Sequence, residues 1–197
     1  MKLTNAILQS LAFGLSLGSA TPSCNQVATV NLNTRVGKAR NLASGFIYGF
    51  PDNGTEADDS IPSYLVRGIN FHANRAGGAQ LVPRGWVGGY EDYVARFNST
   101  LSNYKTTRKY GGDFILLVHD IWGADGSLGD AGPYPGDDGN WGDMEVYLRQ
   151  LCDDIKSHDM LDGLVMDLWN EPELDIFWAR PWAQYVEYYV RASRIVR

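Results

Sequence analysis

The residues of this chain that could do chemistry gather at the end of one apolar run, Gly163-Leu164-Val165-Met166-Asp167-Leu168-Trp169-Asn170-Glu171-Pro172. Leu164 to Trp169 suit a short strand covered on both faces, as the strands of parallel sheets are, and Pro172 cannot extend the ladder. The run therefore predicts a strand that delivers an amide, Asn170, and a carboxyl group, Glu171, into a Pro-terminated turn. Glu171 is expected at the carboxyl end of a parallel strand, where barrel enzymes keep their chemistry and where a carboxyl group can serve as general acid or base. Asn-Glu-Pro alone is also an ordinary turn or helix-start signal. The strand context and Trp169 carry the functional reading.

The elements that must position these residues alternate along the chain. Ser44 to Phe50 is an aromatic and β-branched run stopped by Pro51, suited to a first strand. Asp59 and Ser60 can cap a helix with Pro62 in its first turn and Ile61, Leu65 and Ile69 on one face. A second strand is expected over Asn70 to Arg75, closed by Gly77-Gly78. Tyr90, Tyr93, Val94, Phe97, Leu101 and Tyr104 recur at helical spacing before Gly111-Gly112. Phe114 to Val118 predicts a third strand leading into His119 and Asp120. From Gly123 to Trp141 runs a long stretch of Gly, Asp and Pro without periodicity, the kind of loop that is functional or mobile. Met144, Tyr147, Leu148, Leu151, Cys152 and Ile155 then mark a helix, the Asn-Glu strand follows, and Trp182, Tyr185, Val186, Tyr189 and Val190 share a face of a last helix.

Strand and helix repeated four times make half of a (β/α)8 barrel. The fold class expected is α/β of this TIM-barrel type, truncated to about the first four βα units, because 197 residues fall short of the roughly 250 a closed barrel takes. Residues 1–20 carry one cation, Lys2, then an apolar stretch, then Gly18-Ser19-Ala20, and read as a cleaved signal peptide. That leaves 21–197 as the N-terminal half of the barrel domain. No later stretch approaches the eighteen or so apolar residues of a membrane span. The net charge is −6, one unit more negative without the leader, which excludes nucleic acid and anionic membrane as partners. Asn53-Gly54-Thr55 and Asn98-Ser99-Thr100 fit the N-glycosylation pattern of a secreted chain. Two cysteines, Cys24 and Cys152, make no disulfide framework, and spacing does not decide whether they pair. His72, His119 and His158 are too scattered for zinc, and Asp125, Asp130, Asp137 and Asp138 fit no EF-hand spacing and read as a solvated loop. No metal and no cofactor is expected.

Trp169-Asn170-Glu171-Pro172 at a strand end resembles the acid/base motif of the clan of retaining glycoside hydrolases with (β/α)8 barrels. Within it the chain is similar to glycoside hydrolase family 39, particularly its secreted fungal members, over roughly residues 44 to 197. The segments Arg75-Ala76-Gly77-Gly78 and His119-Asp120-Ile121-Trp122 add to the likeness. The resemblance implies that Glu171 is the general acid/base, that Asn170 contacts the sugar 2-hydroxyl, and that the partner is an oligo- or polysaccharide, xylosides included. It also implies a nucleophilic Glu at the end of a seventh strand, which lies outside this chain. Asp120 and Glu173 do not match that position. This chain is then expected to be an inactive truncated form, with a non-catalytic carbohydrate-binding or relic protein as the alternative.

The remaining candidates each have two readings. His119 and Asp120 either bind sugar hydroxyls at the rim or form a structural hydrogen-bonded pair. Arg75 either orients the catalytic carboxylates or is a surface cation at a loop start. Trp122, Trp169 and Trp178 offer flat faces for a sugar ring, whereas core packing explains Trp182 better. Trp86 and Trp141 stand in Gly-rich segments as substrate loop or loop anchor.

Overall fold

A computed structural model describes residues 31, 33, 37, 44–125 and 132–197. The chain divides into two units, Met1–Ala39 and Arg40–Arg197, and every strand and helix below belongs to the second. The predicted signal peptide, Cys24 and Asp130 lie outside the described residues.

Four parallel strands form one sheet: β1 (Gly45–Phe46), β2 (Ala73–Ala76), β3 (Asp113–Leu117) and β4 (Leu164–Asp167), adjacent in chain order. The helices between them are α1 (Ser63–Gly68), α2 (Tyr90–Lys109), α3 (Val118–Trp122) and α4 (Gly142–Ser157), with α5 (Trp182–Ile195) after β4. The α/β class and the alternation of elements are as the hydropathy pattern predicts. Register places Asn74, Phe114 and Leu164 in one row and Ala76, Leu116 and Met166 in the next. This face packs on helices: the Asn74 amide donates to Asn103 and Thr107 of α2, at 3.2 and 3.0 Å. The Phe114 ring lies 5.9 Å from that of Tyr104. Arg75, Ile115 and Val165 form a row on the opposite face, where Val165 is exposed.

Helix α2 carries Glu91 and Asp92 in its first turn and Arg108 and Lys109 in its last, charges that complement the helix dipole at both ends. Tyr93, Phe97, Leu101 and Tyr104 fill the predicted apolar face, but Ser99, Thr100, Ser102, Asn103, Thr106 and Thr107 are buried as well. That polar flank supports the loop after β1, whose amides have no ladder to join. The backbone N–H groups of Phe50, Asn53 and Asp58 donate to Asn103, Ser102 and Thr106 at 2.6, 3.0 and 2.8 Å. Asn53 is exposed, whereas the second glycosylation pattern lies within α2 with Ser99 and Thr100 buried.

Several expectations are corrected by tertiary geometry. The first strand is two residues rather than seven, because only Gly45 and Phe46 find partners on β2. Helix α1 starts at Ser63 with Pro62 at its N-cap, and Asp58 accepts from Ser60 instead of Asp59 and Ser60 capping the helix. Only Val66 of α1 is buried, while Leu65 and Ile69 are exposed. The second strand begins at Ala73, since Asn70 is turned into left-handed backbone at φ 53°. The third ends at Leu117, and His119 and Asp120 occupy the short helix α3, closed by left-handed Gly123. The fourth is not covered on both faces, and on α5 it is Tyr188 and Ala192 that are buried. Trp182, Val186, Tyr189 and Val190, expected on the packed face, are exposed, Trp182 by 57%. The long loop is not simply solvated. Asp137 accepts from Arg180 at 2.7 and 2.9 Å and from Gln184 at 3.1 Å. Partial burial alone would raise its carboxyl, but the Arg180, Tyr134 and Gln184 donors bring it below the usual carboxylate range. Cys152 is a half-buried free thiol, and burial pushes its pKa up.

Among the described residues β1 and β4 are the sheet edges, and Val165, Val186, Tyr189 and Val190 leave apolar surface beside β4. Open parallel edges next to apolar surface recruit further strands. The purified chain should therefore self-associate. Light scattering with size separation should give a mass above the monomer that grows with concentration, and a monodisperse monomer would contradict this.

Candidate functional site

The ends of β2, β3 and β4 open on a cavity of about 290 Å³ whose wall includes Arg75, His119, Asp120, Asp125, Asn170 and Glu171. Two glycines let β2 end here. A Cβ on Gly77 would come within 2.5 Å of both Asp120 and the Leu117 carbonyl, so only glycine allows α3 to lie this close. Gly78 turns at φ 79°, and a side chain there would stand 2.9 Å from Arg96.

Arg75 is part of β2, not of the loop beyond it, and its guanidinium reaches over β3 to the end of β4. Its Nε and Nη2 donate to Asp167 Oδ2 at 3.0 and 2.8 Å, and Nη2 also donates to Asn170 Oδ1 at 2.8 Å. That contact fixes which end of the Asn170 amide is the donor. Asn170 Nδ2 then points to Glu171 Oε2, 3.3 Å away. Asp167, Arg75, Asn170 and Glu171 thus form one continuous polar chain at the strand end.

The Glu171 backbone is left-handed, at φ 38°. A non-glycine residue held there costs about 1–3 kcal/mol, and such strain persists where the surroundings over-determine it. Here the surroundings are aromatic. Trp169 Nε1 donates to the Phe177 carbonyl at 3.0 Å, and the Trp169 ring meets Trp178 and Tyr188 edge to face at 4.9 and 5.1 Å. The Tyr188 hydroxyl donates to the Leu168 carbonyl at 2.8 Å, and Tyr147 does the same for Val118 at 2.6 Å. Burial pushes both phenols well above their ordinary pKa, so they stay protonated donors. The first pins the backbone just before Trp169, which leads into Asn170 and Glu171, and the second pins it just before His119.

His119 and Asp120 are buried and paired, Nε2 to Oδ1 at 2.9 Å, and both also border the cavity. His119 Nδ1 is buried with no hydrogen-bond partner among the described residues. Trp122, Trp169 and Trp178 are core residues, 3%, 6% and 2% exposed, with Trp122 Nε1 donating to the Pro133 carbonyl. Trp122 meets Tyr147 edge to face, and Trp169 meets Tyr188 and Trp178 the same way, so the structure places Trp122 and Trp169, expected as platforms, within the aromatic core. Trp86 and Trp141 pack against the core, and Arg191 lies over the Trp141 ring at 4.9 Å.

Two members of the site went unread in the sequence. Asp167 could have been found as a lone acid in an apolar strand. Asp125, whose carboxylate takes a hydrogen bond from Arg96 at 2.6 Å, has no signal of its own. Among the described residues no group of three or more His, Cys, Asp or Glu could hold a metal ion, and no helix is long and apolar enough to cross a membrane. In comparisons with protein-family models, with curated proteins and with solved structures, no match to this chain was found.

Proposed function

We propose that this chain carries the acid/base side of a retaining glycoside hydrolase site, built on the first four units of a (β/α)8-type sheet in a secreted protein. The observation that carries the reading is Glu171: an exposed carboxyl at the carboxyl end of a parallel strand, in strained backbone, beside an amide oriented by a guanidinium. That arrangement suits a group that protonates a leaving oxygen and then deprotonates water, with Asn170 able to contact an adjacent sugar hydroxyl. The barrel rather than the doubly wound form is favoured by four strands that, among the described residues, stand in simple chain order, and by helices packed on the Asn74–Leu116 face. The apolar surface beside β4 then receives a fifth strand.

Retaining chemistry needs a second carboxyl about 5 to 5.5 Å from the first. Asp120 and Asp125, the other acids on the cavity wall, are engaged by His119 and Arg96 respectively. The nucleophile therefore comes from strands beyond β4, and the chain alone binds a sugar weakly without cleaving it. The test is to incubate it with aryl β-xylosides, β-glucosides and α-arabinosides, and separately to titrate xylotriose by saturation-transfer NMR. Xylotriose binding without turnover is expected. Turnover abolished by Glu171→Ala would place the second carboxyl within this chain, and no xylotriose binding at millimolar concentrations would overturn the reading.

A further inference from the structure

Arg96 is among the largest fully buried side chains of the molecule, 2% exposed, and it stands on α2 behind the cavity wall. A guanidinium taken out of water at this depth must be fully engaged. Its Nε donates to the Pro83 carbonyl at 2.6 Å, Nη1 donates to the Asp120 carbonyl, and Nη2 donates to Asp125 Oδ2 at 2.6 Å. The two side chains of the ion pair are 2% and 9% exposed. One buried cation thus ties down the segment before α2, the backbone of α3 and a carboxylate that borders the same cavity as Glu171.

We infer that Asp125, fixed by Arg96, accepts a hydrogen bond from a sugar hydroxyl in the cavity, with Arg96 as its positioning residue; this rests on the glycosidase reading of Glu171. The chemistry is specific to a hydroxyl donor. Arg96 donates to Asp125 Oδ2 at 2.6 Å, and a carboxylate in such a pair offers its oxygens as acceptors. Its bonds to O–H donors are charge-assisted and stronger than those between neutral groups. The ion pair also holds the carboxylate in place before a ligand arrives, which removes the ordering cost a flexible loop acid would bear.

The experiment uses xylotriose with the wild-type chain, Asp125→Asn, and the double variant Arg96→Met with Asp125→Asn, which strands no buried charge. Each chain's melting transition is recorded first. Affinity is read by saturation-transfer NMR, with the 2-, 3- and 4-deoxy methyl β-xylopyranosides as competitors. Loss of a hydrogen bond to a charged group should weaken xylotriose about 10- to 100-fold in the variants. One deoxy competitor, weak on the wild type, should compete as well as its parent on the variants, a change that loosened structure alone would not produce. Wild-type binding with unchanged affinity in a folded variant overturns the role of Asp125 and leaves that of Glu171 standing. Absence of xylotriose binding by the wild type overturns both. If the double variant does not melt cooperatively, Asp125→Asn is read by the same criteria.

Discussion

On the proposed glycosidase reading, Glu171→Gln in a chain extended by strands that supply the nucleophile should lower hydrolysis of alkyl β-glycosides about 10²- to 10⁴-fold, the usual worth of general acid/base help. The loss should shrink sharply on dinitrophenyl glycosides, whose leaving group needs no proton. Without its base the enzyme would accumulate a covalent glycosyl intermediate, so azide should speed turnover and yield a β-glycosyl azide from a β-glycoside. Steady-state rates across leaving groups, with and without azide, check this. Equal losses on every leaving group and indifference to azide would show that Glu171 is not the acid/base. The glutamine variant keeps an acceptor for the Asn170 amide, so the strand end should hold its geometry.

Trp178→Ala should remove about 3–5 kcal/mol of stability, the usual cost of deleting a buried large aromatic. Domains hold only about 5–15 kcal/mol in total, so this is a large share. Trp178 is buried with Trp169, Tyr134 and Tyr185 at 4.9, 5.2 and 5.4 Å around it. Trp178→Phe should cost far less. It keeps an aromatic ring in the cluster and deletes an indole N–H that is buried with no hydrogen-bond partner among the described residues. Urea midpoints of the three chains at low protein concentration decide the matter, and equal losses in both variants would show that ring packing is not what Trp178 contributes. Because Trp178 backs Trp169, its loss should also release the left-handed turn at Glu171.

The order of elements was legible in the chain because each is a local pattern: period-3.6 apolar residues for α2 and α4, and short apolar runs that follow glycines, Gly112 and Gly163, for β3 and β4. The Asn170-Glu171 pair was legible for the same reason, being one strand end read with its own turn. Where the strands stop was not legible, since that depends on the partner strand: Phe46 has one on β2 and Ile47 does not. The expected apolar face of α5 misled because periodicity shows which residues share a face, whereas burial depends on what lies opposite, and Tyr188 is buried against Trp169 while Val186 and Val190 are exposed. Tryptophan type could not separate core from platform either. The sequence by itself determined the α/β alternation and the carboxyl-bearing strand end. Only the tertiary structure decided that Arg75, Asp167 and Asn170 form one polar chain and that Arg96 holds Asp125 at the cavity wall. Those contacts join residues 92, 95 and 29 positions apart in the chain, and no local pattern encodes a pairing that arises when separate strands and helices pack.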